Sequence, residues 1–497
     1  MSDALEKRIK KHIIGKPHRF LAISPLGFEQ TLARELDCIL GESATELPHV
    51  TGDGKVEFTT KLTEAWKAVA ISRVANRVLM EVASFKAENF RELEKKASEI
   101  PWELYLDANV IPSRARDPVK FTNALNIHVT CKHSRLYHSD AIAERLYKII
   151  EEGVSVPLAP ADTASATPSA GTPRNAPSQN ENRSIQQNLY VNFLDDRCTI
   201  WQDLAGEELY KRGFERFVND APLKETIASA MIFEAFHFLP STSCCLLDLM
   251  SGSGTFSLES ACIANKIIPG TCRDFALKHQ PAFKEATWNF LIRQETRDER
   301  RENSTSAPVP PNKAKSNTST FVTLSETKGP VKSCNATKHP IIAKIITSDI
   351  SERAVNIIKH NIECSPLASI SPAPIAPQLR DFFSYTAKEI ADICSDTSPI
   401  LVLNPPYGKR LDFDAPKLYT QIGKKLTELA RDLHNLGKTL TVAILAPKDD
   451  TRDGAKYTCT ANLLRECPAL SPQNNSAAKC IATSHGGFSL NVFIAQI

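Results

Sequence analysis

Apolar residues recur at helical spacing in "GFEQTLARELDCIL", where Phe28, Leu32, Leu36 and Ile39/Leu40 fall on one face. The flanking "HRFLAISP" and "GKVEFTT" read as short strands. "LTEAWKAVAISRVANRVLMEVASF" predicts a helix running towards another strand, and "ALNIHVTCK" alternates with period two. "LYHSDAIAERLYKIIEEG" predicts a helix ending at Gly153. This part of the chain, about Arg19 to Gly153, is α+β in pattern. The later part changes character. "LLDLMSGSGTFSLESACIANKI" reads as strand, Gly-rich turn and helix, and "AKIITSDISERAVNIIKHNIECS" repeats strand, turn and helix. "PILVLNPPYGKRL", "KTLTVAILAP" and the closing "GGFSLNVFIAQI" add three more strands. Strands alternating with helices predict an α/β fold with a doubly wound, mostly parallel sheet. Ligands in such sheets bind beyond the carboxyl ends of the strands. The Gly-rich turn, the turn at Asp349 and the Pro turn should therefore share one edge.

Two stretches break the globular texture, roughly Val156 to Gln187 and Arg297 to Pro340. Both are rich in small and polar residues and too poor in large apolar ones to offset the entropy of ordering, so they read as disordered insertions. No internal repeat is visible. With 497 residues, 42% hydrophobic and 24% charged, the chain has material for several domains. The net charge, 60 − 57 = +3, with a pI near 8.1, neither establishes nor excludes a local nucleic-acid surface. The charged start "MSDALEKRIKKHIIGKPHRF" lacks the apolar core of a signal peptide, and no run is long enough to span a bilayer. Thirteen scattered cysteines with no C-x-x-C pair point to free thiols in a reducing cytoplasm, without a metal site.

The candidate chemistry lies on the predicted sheet edge. In "LLDLMSGSGTF", Asp248 ends a buried strand, and Gly252 and Gly254 open the next helix, where a backbone can approach a ligand closely. A tight turn without a ligand reads equally well there, and no Gly-Lys-Ser/Thr follows to make a Walker loop. Asp349, in "IITSDIS", is placed to accept bonds from the two hydroxyls of a ribose, or to cap a helix. Asp381, in "QLRDFFS", is placed to meet the amine of an adenine, with Phe382 or Phe383 beside the ring, or, taken by itself, reads as a loop aspartate in water. Asn404-Pro405-Pro406-Tyr407 then forms a stiff hook poor in donors, because proline fixes φ and lacks an N–H. An exocyclic amine on a nucleobase is a poor nucleophile, and its attack on a methyl group builds positive charge on nitrogen. The side-chain oxygen of Asn404 and the carbonyl of Pro405 are suited to stabilise that charge as it develops. Tyr407 is suited to stack on a base that has left its helix.

"DLMSGSGTF", then "SD", then "NPPYGKRL" resemble the class I S-adenosylmethionine-dependent methyltransferases that act on amino groups. "LYKRGFE" and "APLKETIASAM" narrow the resemblance to THUMP-domain RNA methyltransferases that make N2-methylguanine, in particular the large-subunit ribosomal RNA type. "FLAISPLGFEQTLARELDCIL" is similar to that family's ferredoxin-like segment, and "SRLYHSDAIAERLYKII" to the end of its THUMP domain. The resemblance implies a basic tail over 1–18, a ferredoxin-like segment over 19–60 and a THUMP region over 61–200. A Rossmann-like methyltransferase domain over 201–497 completes the division. It further implies S-adenosylmethionine lined by Asp248, Ser251, Gly252 and Gly254, with Asp349 on its ribose and Asp381 at its adenine. Asn404, Pro405, Pro406 and Tyr407 would form the amine pocket. The family's usual Asp-Pro-x-Cys-Gly-Ser-Gly-Thr is altered here by Leu249 and Ser251, and Lys409 stands where a glutamate is common. Lys211, Arg212 and Arg216, with Lys7, Arg8, Lys10 and Lys11, are candidate RNA phosphate contacts or solvated charged faces. Lys224 reads as a helix-surface lysine and His485 as a loop residue. Ribosomal RNA is the expected partner, with transfer RNA an alternative. N6-adenine in DNA, a glutamine amide in protein, and an inactive RNA-binding assembly factor are further alternatives.

Overall fold

The computed structural model describes residues 3–107, 125–154, 187–218, 222–239, 241–293, 340–407, 414–452 and 455–497. The two low-complexity stretches lie outside these residues except at their edges, and so does Lys409. Gln187, the last residue of the first expected insertion, already begins a strand.

A short helix α1 (Asp3–Ile9) leads into a βαββαβ unit: β1 (Pro17–Ile23), α2 (Glu29–Leu40), β2 (Glu46–Gly52), β3 (Lys55–Lys61), α3 (Leu62–Ile71) and β4 (Arg77–Lys86). Its strands lie in the order β2-β3-β1-β4, so the unit closes with β4, beyond residue 60. The amphipathic reading of α2 holds: Phe28, Leu32, Leu36 and Leu40 are buried with Phe20, Ala22, Val56 and Phe58 in one core. Next come α4 (Phe90–Ser98), β5 (Leu125–Lys132), α5 (Ser139–Val154), β6 (Gln187–Leu194) and β7 (Arg197–Asp203). Here β7 pairs antiparallel with β4, so both units share one seven-stranded sheet, β2-β3-β1-β4-β7-β6-β5.

The second half begins with α6 (Glu225–Phe236), β8 (Ser243–Asp248), α7 (Thr255–Ala264) and α8, whose described part is 285–293. It continues through β9 (Ile341–Asp349), α9 (Glu352–Glu363), β10 (Gln378–Leu379), α10 (Ala387–Cys394) and β11 (Ser398–Leu403). The chain ends with α11 (Ala415–Asn435), β12 (Thr441–Pro447), the small ribbon β13 (Asp450–Arg452) and β14 (Ala455–Tyr457), α12 (Cys459–Glu466), β15 (Lys479–His485) and β16 (Phe488–Gln496). The large sheet has the order β10-β9-β8-β11-β12-β16-β15. β10 through β12 are parallel, while β16 and β15 run antiparallel. Its central strands read as continuous apolar runs because helices cover both faces, and β12 is buried along its whole length. The strand order reverses between β8 and β11, which fixes the ligand-binding edge there. Among the described residues no helix is long and apolar enough to cross a membrane.

The two halves are joined through a buried carboxylate. Glu259 on α7 accepts from Arg212 (Nε 3.1 Å, Nη2 3.0 Å), Arg73 (3.3 Å) and the Ser229 hydroxyl (2.6 Å). Arg73 directly follows α3, and its guanidinium also reaches the carbonyl of Ile267. Burial alone would raise the pKa of Glu259, but the charges of Arg212 and Arg73 hold it at about 2. A second contact sets Thr31 and Arg34 of α2 on Glu234 of α6, which also takes Lys479 of β15 at 2.6 Å. Truncation of a buried ionic partner leaves the other charges uncompensated. Glu259→Ala is expected to lower unfolding stability by about 3–5 kcal/mol in denaturant titration. A loss below about 1 kcal/mol would contradict the assigned role.

Candidate active site

The Gly-rich turn forms where β8 meets α7. Gly252 (φ +53°) and Gly254 (φ +80°) take left-handed backbone that other residues rarely adopt. A Cβ at Gly254 would meet Ile358 Cγ1 of α9 at 2.9 Å, whereas the space in front of Gly252 is open. The Ser251 N–H and hydroxyl both donate to the carbonyl of Ser348, at 3.1 and 2.8 Å. A serine in the family's cysteine position therefore ties the turn to β9. Leu249, in the proline position, is buried.

Asp349 ends β9 and clasps the same turn. Its Oδ2 accepts the Gly252 N–H at 2.8 Å, and its Oδ1 accepts the Ser351 N–H at 2.9 Å. Each carboxylate oxygen has a second lone pair for a ligand hydroxyl. Asp381 caps a short 3-10 turn through the Phe383 N–H at 3.0 Å. Asn404, Pro405, Pro406 and Tyr407 follow β11, across the switch point.

These elements enclose one cavity of about 390 Å³, within the roughly 300–1,000 Å³ of small-molecule sites. Ser251, Gly252, Asp349, Asp381, Asn404, Pro405, Pro406 and Tyr407 all line it. Asn404 carries the decisive feature. Its Oδ1 is buried and has no hydrogen-bond partner among the described residues. Buried acceptors are normally paired, so a vacant one in a cavity wall calls for a donor from a ligand. Burial raises the pKa of the Tyr407 phenol, so its ring stays neutral.

Asp248 departs from expectation. Like Gly254, which was also expected to line the cofactor, it is not part of the cavity wall. Its Oδ2 is buried beneath α7, where it accepts the Ser257 N–H (3.1 Å) and hydroxyl (2.6 Å). It positions the turn rather than touching a ligand. Burial pushes its pKa up to about 7, helped by the negative charge of Asp349 and opposed by the Ser257 donors. The basic candidates divide too. Arg212 is buried on Glu259 and cannot reach a phosphate. Arg216 is almost enclosed, bonded to Glu225 and to the Thr255 hydroxyl (2.5 Å) behind the cavity, and burial lowers its pKa to about 10. Lys211 remains on the surface beside Glu207, at 3.4 Å. An "R" in a loop carries no signal of its depth, which is why sequence reasoning misplaced these two. Lys224 lies over the Tyr210 ring at 4.5 Å and within 3.5 Å of Glu208.

Other wall residues escaped sequence reasoning. Met250, Phe256, Ile350 and the Pro222-Leu223 segment supply apolar surface, and Arg353 a cation. The β15–β16 hairpin braces the rim from outside. Phe488 stands edge-on to Tyr407, with centroids 5.8 Å apart at 76°. His485 Nε2 bonds the Pro222 carbonyl at 2.7 Å. Burial lowers the His485 pKa, so it is a neutral ring donating Nε2–H. It is a wall brace rather than a free loop residue. Among the described residues no group of three or more His, Cys, Asp and Glu side chains is arranged to hold a metal.

The family model described as an RMKL-like methyltransferase domain matches residues 212–444, and one described as an RlmL ferredoxin-like domain matches residues 19–79. Residues 212–444 are thus similar to the RMKL-like methyltransferase domain. The chain is 26% identical over 418 residues to the ribosomal RNA large subunit methyltransferase K/L of Allochromatium vinosum, covering 83% of this chain and 46% of that protein. It is 24% identical over 417 residues to the putative RNA methyltransferase YpsC of Bacillus subtilis, covering 83% and 86%. The chain thus spans about half the length of the K/L relatives it matches. The structure of SMU.472, a putative methyltransferase complexed with SAH, shares the fold with a TM-score of 0.62 at 20% identity, over 97% of this chain and 98% of that one. S-adenosylmethionine fits the residues present. The open space at Gly252 and the spare lone pairs of Asp349 suit a nucleoside, and Asp381 lies on the same wall.

The raised Asp248 pKa has a signed consequence. The folded state keeps this proton up to about pH 7, whereas an unfolded aspartate loses it near pH 4. Its contribution to stability therefore falls as pH rises from about 4 to about 7 and is level above. Asp248→Asn keeps an acceptor for Ser257 and lacks the titrating proton, so the wild-type-minus-variant stability curve should carry that slope. A difference curve flat across this range in urea titrations would contradict the burial.

Proposed function

We propose that the protein is an S-adenosylmethionine-dependent RNA methyltransferase that forms N2-methylguanosine, with large-subunit ribosomal RNA as its substrate and the cytoplasm as its setting. The vacant Asn404 acceptor in the cavity wall carries this reading. When bound, S-adenosylmethionine supplies an electrophilic methyl group. Asp349 would hold its ribose, Asp381 its adenine, and the Gly252 turn the chain between them. The target base, flipped from its helix, would stack on Tyr407. Its exocyclic amine would donate one hydrogen to Asn404 Oδ1 and one to the Pro405 carbonyl. Both acceptors would face the positive charge that develops on nitrogen as the N–C bond forms and the methyl–sulfur bond breaks to leave a neutral thioether; the nitrogen would then lose a proton to water, and the prolines hold the acceptors still.

The N-terminal ferredoxin-like domain and the names of the relatives favour RNA over DNA or protein as the substrate. The intact Ser251 turn speaks against an inactive assembly factor. The same wall is compatible with transfer RNA, and the assay separates the two. Recombinant protein is given labelled S-adenosylmethionine and unmodified ribosomal or transfer RNA, and the products are digested to nucleosides. The expected result is label in N2-methylguanosine from ribosomal RNA. Label only in N6-methyladenosine or in protein would overturn the proposal, and label only in transfer RNA would overturn its substrate.

Asn404→Ala should cut turnover at least 100-fold, the typical cost of removing one transition-state hydrogen-bonding group. Cofactor affinity by calorimetry should stay within about twofold. Near-normal turnover would rule out the amine grip.

A further inference from the structure

Phe217 is a large apolar side chain that the fold holds in the open. Its ring is 48% exposed, yet its backbone is fixed from both sides. The Phe217 N–H donates to Asn361 Oδ1 at 2.8 Å, and Asn361 Nδ2 donates back to the Phe217 carbonyl at 2.9 Å. Asn361 is fully buried on α9, and the same Nδ2 also reaches the carbonyl of Ser253 in the Gly-rich turn, at 3.1 Å. The phenyl ring lies parallel on the His360 imidazole, with centroids 4.2 Å apart at 19°. Water disfavours an exposed ring. A loop free to move would tuck it away, but here the asparagine clamp and the imidazole keep its outer face flat and presented.

The ring borders a groove of about 550 Å³ lined by Phe217, Glu352, Arg353, Asn356, Ile357 and His360. Arg353 lines both this groove and the methyl-transfer cavity, so the two are neighbours. Arg353 is exposed and has no ion pair among the described residues. A flat aromatic face, an unpaired guanidinium and an amide match the three parts of a nucleotide. The ring can stack a base, the cation can hold a phosphate, and Asn356 can bond a base edge.

We propose that this groove is a docking subsite for the nucleotide that flanks the target base in the RNA. The inference rests on the RNA methyltransferase reading. A base flipped into the cavity stays covalently joined to its neighbours, so one of them must lie at the cavity mouth. The groove opens there with stacking chemistry. An apolar patch on a protein is the competing occupant, but it would leave the Arg353 cation without a role.

The test compares wild type, Phe217→Ala, Phe217→Trp and Arg353→Gln on protein-free ribosomal RNA. Phe217→Ala should raise KM for RNA about tenfold, in the range of base–aromatic stacking losses. Phe217→Trp should restore it, and affinity for S-adenosylmethionine by calorimetry should change less than twofold in both Phe217 variants. Arg353→Gln, a surface change that leaves folding intact, should also raise the RNA KM and flatten its dependence on salt. Active wild type with unchanged KM in both variants would overturn the subsite and leave the RNA reading standing. Cofactor affinity lost in parallel with RNA affinity would assign the groove to the cofactor and overturn it. An effect seen only on protein-bearing ribosomal particles would assign it to a protein and overturn it. Wild type that binds cofactor and methylates no RNA would overturn the RNA reading and the subsite together.

Discussion

Glu259 lies enclosed between Arg73, in the loop from α3 to β4 of the N-terminal sheet, and Arg212, which leads into the second half of the chain. A carboxylate in that position is tolerated only because two guanidinium groups and the Ser229 hydroxyl surround it. The consequence is geometric. Glu259 sits on α7, five residues past Gly254, so the N-terminal sheet, α7 and the cavity floor are locked into one body. The Glu234 contacts with Thr31, Arg34 and Lys479 make a second lock, which ties the same body to β15 and so to the hairpin that braces Tyr407. These buried polar contacts fix the distance between the N-terminal sheet and the cavity.

Inside that frame the cavity is divided by chemistry. The carboxylates of Asp349 and Asp381 stand on the β9 and β10 side, and the acceptors of Asn404 and Pro405 on the β11 side. In the proposed reaction the first pair would meet a nucleoside and the second a nitrogen that becomes positive. Asp248 serves beneath both. Buried, with its pKa near 7 and two donors from Ser257, it anchors the start of α7 without touching the ligand. The cofactor turn thus rests on a group that titrates near neutrality, whereas the acceptors that would act on the substrate amine carry no titratable proton.

Much of this was legible in the sequence because the relevant signals are local. The alternation of apolar runs with Gly-rich or Pro-rich turns places β8, β9, β11 and β12, and the order of Asp349, Asp381 and Asn404 along the chain puts them on one edge. What escaped was long-range. Arg212 and Arg216 look like surface cations in "YKRGFER", but their partners, Glu259 and Glu225, come from other elements and bury them. The strands β6 and β7 follow a stretch with no periodicity, and the sheet that joins them to β4 is visible only in space. Phe488 and His485 reach the cavity rim across the whole domain from the last hairpin, and nothing in "HGGF" announces a contact with Tyr407 or Pro222.

The central claim is that the vacant Asn404 oxygen and the Pro405 carbonyl grip an exocyclic amine. The most direct measurement is a crystal structure of the protein with S-adenosylhomocysteine and a guanosine-containing RNA substrate. The account predicts both oxygens at hydrogen-bond distance, about 3 Å, from the guanine N2, with the ring stacked on Tyr407. A base bound with its amine turned away from Asn404, or Asn404 Oδ1 paired to a protein group in the complex, would contradict it.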